Sequence, residues 1–213
     1  MAATPLVYVI VGTLLSNVVF PEPDADPSDR PRPGTRIENP AIGSTFVYRR
    51  TSAETNGATF EVDLFVEPGG GPGSLGVDHV HPYLEERFRV VEGTIRIALD
   101  GVERDVTAGQ EVVAAPGVAH SYVNVSSAPA HVTGVFNPAA NMDSYFVQLD
   151  RAGGLGQTGV AQMFAFLTRY DHTYVAGVPR WLQKGLAFLI TPTARLFGVQ
   201  SYYPPPEASS PTP

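Results

Sequence analysis

The stretch GSLGVDHVHPYLEERFRVVEG (73–93), taken with GQEVVAAPGVAHSYVN (109–124), decides how this chain is read. His79 and His81 are two residues apart, so on a β-strand both side chains leave the same face. Glu86 opens the next alternating run and can point the same way, as can His120 on a strand far along the chain. Three neutral imidazoles and one carboxylate suit one divalent transition metal: Fe, Mn, Ni, Co, Cu or Zn. The metal ligands read from the sequence are therefore His79, His81, Glu86 and His120. The plainer alternative is that inward-facing histidines are hydrogen-bonded core residues.

Outward from these stretches the chain reads as many short strands. STFVYRR (44–50) and ATFEVDLFVEP (58–68) come first; Phe60, Val62, Leu64 and Val66 alternate with Glu61, Asp63 and Phe65. TIRIALD (94–100) and VERDV (102–106) flank Asp100-Gly101, a hairpin signal because both positions tolerate positive φ. EVVAAP (111–116), HSYVNVS (120–126) and HVTGVF (131–136) complete a mainly β pattern that calls for a sandwich or barrel.

The fixed positions in both stretches resemble the two motifs of the cupin superfamily. The first, G(X)5HXH(X)4E(X)6G, is met throughout by Gly73, His79, His81, Glu86 and Gly93. The second, G(X)5PXG(X)2H(X)3N, is met at Gly109, Gly117, His120 and Asn124, but Ala115 stands at the proline position and Pro116 follows it. Glu85 is the rival carboxylate, yet only Glu86 keeps the six-residue step to Gly93. The resemblance implies a double-stranded β-helix, the cupin jelly-roll barrel, followed by C-terminal α-helices. Cupins that lose their metal usually lack ligands, and none is missing here.

The 213 residues divide into an apolar segment and Pro/Asp-rich linker (1–36), the barrel (37–138), and a helical extension with a polar tail (139–213). The linker PEPDADPSDRPRPGTR (21–36) is expected to be extended and mobile, and the PPPEASSPTP tail disordered. A 43% hydrophobic composition is enough for a core. A net charge of −7 without a basic stripe argues against nucleic acid, and the absence of cysteine excludes thiolate chemistry and disulfides.

Residues 141–151, 158–170 and 179–198 read as helices, with Pro192 a kink or break in the last. There Trp181, Leu182, Leu186, Leu189 and Ile190 form an apolar stripe expected to pack inward, while Arg180, Gln183 and Lys184 are polar. The arrangement, over roughly residues 35–206, resembles bacterial cupins of unassigned function that carry a similar PxWxQ-type helix. A minority reading lays this helix, with its basic flanks, on a membrane surface. The apolar run before residue 21 is short for a membrane span and is read as packing on the fold or a partner subunit.

If His120 faces inward, so do Tyr122 and Asn124. Tyr122 is a candidate catalytic phenol, or else core; Glu86 doubles as a candidate general base, a role the resemblance suggests. Asn124 is expected to fix a strand or loop, and Phe60, Val62, Leu64, Phe88 and Val90 to line an apolar pocket. Asp78 is expected to be an exposed strand carboxylate, with orienting an imidazole as the alternative, His172 an exposed loop residue, and Gly69–Gly73 a flexible loop at the barrel mouth. The parity of His131 is open.

These features lead to a metal-dependent cupin enzyme acting on a small, largely apolar organic substrate. The chemistry would be that of an oxidoreductase of the dioxygenase type, or a redox-neutral cyclase (for example a polyketide cyclase), isomerase or dehydratase. The alternatives are a non-catalytic small-molecule-binding cupin and a sugar isomerase or epimerase. A homodimer and a cytoplasmic location are expected.

Overall fold

The computed structural model describes residues 21–205 except 23, 27, 157 and 158, and before them only residues 7, 11, 18 and 19. The alternating runs fold into two antiparallel sheets. Strands β1 (Arg36–Asn39), β2 (Ser44–Arg50), β3 (Phe60–Val66), β5 (Glu85–Glu92), β8 (Glu111–Ala114) and β10 (Ala130–Asn137) form one, in the order β1-β2-β3-β10-β5-β8. Strands β4 (His79–Val80), β6 (Thr94–Leu99), β7 (Val102–Thr107), β9 (Ala119–Asn124) and β11 (Tyr174–Val175) form the other, ordered β11-β4-β9-β6-β7. Together they make the double-stranded β-helix.

Period-two alternation sends one side of each strand inward. Phe60, Val62, Leu64 and Val66 of β3 are buried, as are Phe88 and Val90 of β5 and Ile95 and Ile97 of β6, whereas Phe65 is exposed. Each such side chain contributes roughly 1.5–3 kcal/mol by leaving water. The β6–β7 turn carries both central residues at positive φ, Asp100 at 46° and Gly101 at 78°, as the sequence requires. At the other end of β6, Gly93 turns with φ 84°, and an added Cβ would stand 2.9 Å from that of Ala130.

Helices α1 (Met142–Gly154), α2 (Val160–Arg169) and α3 (Arg180–Arg195) follow the barrel. Phe146 of α1 packs on Phe46 and Phe60 at 4.9 and 5.9 Å between ring centres, and the Tyr48 hydroxyl donates to the Asp143 carbonyl at 2.7 Å. The extension is not wholly outside the barrel, because its segment β11 pairs antiparallel with β4, Val175 opposite His79 and Tyr174 opposite Val80.

Helix α3 departs from the expected pattern in two ways. It runs unbroken through Pro192. Its buried residues are Gln183, Ala187, Thr191, Pro192 and Ala194, while Trp181, Leu182 and Leu189 face outward. The inversion has a physical cause. Gln183 is drawn in by unpaired backbone groups beside β11, accepting from Val175 N at 3.1 Å and donating to the carbonyls of Val175 and Val178 at 2.9 and 2.8 Å. Small side chains such as Ala194 pack close to Ala165 of α2.

Described linker residues are tied down rather than free. Glu22 accepts from Arg195 Nε at 3.0 Å and from Ser201 Oγ at 2.7 Å, and Asp29 pairs with Arg151 and accepts from the Tyr202 hydroxyl at 2.9 Å. The polar tail from residue 206 lies outside the described residues, as does most of the run before residue 21.

Candidate metal centre

The barrel brings His79, His81, Glu86 and His120 together: one potential ligand atom from each lies within 4.8 Å of all the others. Strand pairing accounts for this. His79 on β4 is directly opposite His120 on β9, and Glu86 opens β5 in the facing sheet. His81, Glu86 and His120 are buried; the His79 side chain, 21% exposed, is the least enclosed of the four. Glu85 turns the other way and pairs with Arg87 at 2.5 Å on the outer surface.

All three Nε2 atoms aim at Glu86 Oε2, His120 at 2.9 Å, His81 at 3.2 Å and His79 at 4.0 Å. On the far side of two rings, His81 Nδ1 lies 2.8 Å from the His172 carbonyl oxygen and His120 Nδ1 lies 2.9 Å from that of Val118. A carbonyl oxygen only accepts, so both Nδ1 atoms carry hydrogen and, in the neutral rings, both Nε2 atoms present lone pairs. Lone pairs facing a carboxylate oxygen repel unless a proton or a cation stands among them. Charging two or three adjacent buried imidazoles is costly. A divalent cation satisfies all four groups at once, so this donor set fits a metal and can hold one.

The electrostatics are consistent with a site built around negative charge. Burial alone would raise the Glu86 carboxyl, but its bonds to His120 and His81 hold it well below the usual carboxylate range. Burial lowers His120, yet Glu86 outweighs it and the ring is raised. Burial, then the neighbouring His120 and His81, pushes His79 well below its ordinary value.

Aromatic residues wall the cluster. Phe88 lies 6.0 Å from the His120 ring and Phe136 lies 6.2 Å from His81. Tyr122 is buried inward on β9, 5.3 Å from Phe88, and its phenol is pushed up by burial and then by Glu86. Of the residues expected to line a pocket, Phe88 borders the cluster, while Phe60, Val62, Leu64 and Val90 are packed core, because side chains fill a barrel of this size. Asn124 fixes loops, donating to the carbonyls of Val66 (2.7 Å) and Ala128 (2.9 Å) and accepting from Ser126 N at 2.8 Å.

Several expectations are corrected. His172 is buried at 5% exposure, its ring enclosed by Tyr145 and Tyr170 at 5.1 and 5.8 Å. Its carbonyl orients His81, a role invisible in the sequence because a backbone atom performs it. Asp78 is only partly exposed and accepts from Ser121 Oγ at 2.5 Å, touching no imidazole. The glycine run is not a loose mouth loop: Gly71, at φ 112°, presses so close that an added Cβ would sit 2.5 Å from the Tyr122 carbonyl oxygen. His131 lies on the outer face, 3.0 Å from Asp63 and stacked on Phe65. At the departure from the second motif, Pro116-Gly117 forms a turn closed by Val118 N to the Ala115 carbonyl (3.0 Å), and Gly117 N donates to the His81 carbonyl at 2.8 Å.

Residues 64–136 match a family model described as a cupin domain. No protein of curated function matches the chain. Among solved structures, KdgF from Halomonas sp. is 20% identical, with 49% of this chain and 94% of that one covered and a TM-score of 0.40. An RmlC-like cupin from Shewanella frigidimarina is 21% identical, with 55% and 94% covered and a TM-score of 0.40. A predicted oxalate decarboxylase from Thermotoga maritima is 19% identical, with 45% and 80% covered and a TM-score of 0.41.

Proposed function

The barrel of this chain belongs to the cupin superfamily, and from that premise we propose that it is a metal-dependent enzyme acting on a small, largely apolar organic molecule. The observation that supports this reading is the convergence of three imidazole nitrogens on one buried carboxylate, with two of the rings locked by backbone carbonyls into the ligating tautomer. His79, His81, Glu86 and His120 are the ligands, and a divalent transition metal held there supplies Lewis acidity to a substrate oxygen or a common site for substrate and dioxygen.

The chain's own residues do the rest. Phe88, Phe136 and Tyr122 give the site apolar walls that favour a hydrophobic substrate and exclude water. The raised Tyr122 phenol stays protonated at neutral pH and is suited to donate to a substrate oxygen. Substrate enters on the His79 side, the least enclosed side of the cluster. Glu86 is held as a carboxylate, so it is a ligand first and a proton acceptor only after leaving that position.

The test is turnover of oxygenated aromatic compounds by protein reconstituted with each metal in turn, with oxygen uptake recorded alongside product. Oxygen uptake assigns a dioxygenase; product without uptake assigns a cyclase, isomerase or dehydratase. Tight binding of such compounds without product would overturn the enzymatic reading in favour of a binding protein.

A further inference from the structure

Away from the metal centre, a cleft of 410 Å³ opens between helix α1, the end of α2, the turn after β2 and the linker wall Asp29–Pro31. None of the four candidate metal ligands lines it. Its volume lies in the range of about 300–1,000 Å³ that small-molecule sites occupy. The linker wall is anchored, because Asp29 pairs with Arg151 and accepts from the Tyr202 hydroxyl at 2.9 Å.

Two donors inside the cleft are unmet. Gln148 of α1 is 2% exposed, and its carbonyl oxygen accepts from Tyr203 N at 2.6 Å. That bond fixes the orientation of the amide, so the Nε2 group with its two N–H donors points elsewhere. Among the described residues it has no partner, and neither has the hydroxyl of Tyr170, a residue 7% exposed. Neither atom is sealed inside the protein, so the small exposure of each is to the cleft that both residues line. Donors so far withdrawn from the surface are normally met by protein, water or a ligand.

The chemistry of the walls selects the ligand. Burial pushes the Tyr170 phenol up to about 12, so it keeps its proton at neutral pH and can donate. The acceptors are already used: Asp29 by Arg151 and Tyr202, and neighbouring Asp143 by Ser52 and by Ser144 N. Asp26 accepts from Ser28 N at 2.7 Å and is exposed at the rim. Arg151 and Arg169 also line this region but are paired with Asp29 and Glu22. Arg30 in the cleft, and Arg32 in an adjoining recess of 250 Å³ that shares the Asp29–Pro31 wall, have no ion-pair partner among the described residues. Unmet donors beside an unpaired guanidinium call for an oxyanion. A carboxylate, with two oxygens and one charge, matches an amide, a phenol and one guanidinium. Tyr170, Tyr202 and Val147 offer apolar surface to the rest of such a ligand.

We propose that this cleft is a second binding site, for a small organic carboxylate whose oxygens are held by Gln148 Nε2, the Tyr170 hydroxyl and Arg30. The site stands independently of the metal centre and of the reaction proposed there. It shares a framework with that centre, since the Tyr170 ring lies 5.8 Å from the His172 ring and the His172 carbonyl holds His81.

Calorimetric titration of the full-length protein with benzoate, phenylacetate, hexanoate and inorganic phosphate tests the proposal. The expected result is saturable binding of at least one carboxylate, about tenfold or more tighter than phosphate and unchanged after metal is stripped with chelator. Tyr170→Phe removes only an unpartnered hydroxyl, so it should weaken binding about tenfold and leave the melting temperature where it is. Arg30→Ala, at an exposed position, should do the same. No saturable binding of any of the three carboxylates up to about 10 mM would overturn the proposal. So would phosphate binding as tightly as they do, full affinity in either variant, or binding that disappears with the metal, which would put the ligand at the metal centre.

Discussion

Replacing Gln183 with leucine tests whether the helical extension holds the metal centre in shape. The Gln183 side chain, 4% exposed, makes three hydrogen bonds to backbone atoms of Val175 and Val178. Strand β11, which contains Val175, pairs with β4 opposite His79, and the nearby His172 carbonyl holds His81. Three hydrogen bonds at a net ~0.5–1.5 kcal/mol each would total about 1.5–4.5 kcal/mol. Val175 is 39% exposed, so water can replace part of this, leaving a loss of about 2 kcal/mol. That raises the population with β11 detached roughly 30-fold. Metal affinity falls by the factor by which detachment depletes the state with His172 and β11 in place, so Gln183→Leu should weaken metal binding measurably, by at most about tenfold, the low end of what ligand-orienting groups carry. Competition with a chromophoric chelator reads the affinity, and hydrogen-exchange mass spectrometry of 171–178 reads the detachment. Faster exchange with unchanged affinity would refute the coupling; unchanged exchange would refute the clamp itself.

Other outcomes follow from single contacts. Asn124→Ala removes three hydrogen bonds, one fully buried and two partly so, and should cost about 1–3 kcal/mol in urea unfolding without lowering metal stoichiometry. Gly71→Ala forces a Cβ against the Tyr122 carbonyl at a positive φ, so the melting temperature should fall and turnover with it. His172 has its ring lowered from 6.5 to about 3, by burial first and then by His81. Its folded value lies below its unfolded one, so between pH 6.5 and about 3 the unfolded chain binds a proton that the folded chain refuses. The stability it contributes is complete above pH 6.5 and falls by up to about 1.4 kcal/mol per pH unit below it. In His172→Phe the decline measured by denaturant unfolding from pH 7 to 4.5 should be shallower.

The barrel was legible because its strands bury one face each, which writes period-two alternation into Phe60–Val66 and the Asp100-Gly101 turn into the hairpin. The fixed spacing of the histidines and Glu86 likewise pointed to the cluster, and the six-residue step to Gly93 separated Glu86 from Glu85. What the sequence hid depends on backbone atoms or on neighbours distant in the chain. A two-residue strand such as β11 has no periodicity, and His172 acts on His81 through its carbonyl. Gln183 read as a surface residue because nothing local shows the unpaired backbone groups it meets, and with it went the orientation of α3. The glycine run looked flexible, although its lack of side chains serves close approach to Tyr122 instead.

The measurement that bears most directly on the central claim is the metal content of the purified protein beside that of His120→Ala, both supplied with transition metals and freed of excess. The account predicts about one equivalent of a divalent transition metal in the unaltered protein and less than about a tenth in the variant, with both folded by circular dichroism. A folded, unaltered protein that retains no metal, or a His120→Ala variant that retains a full equivalent, would contradict it.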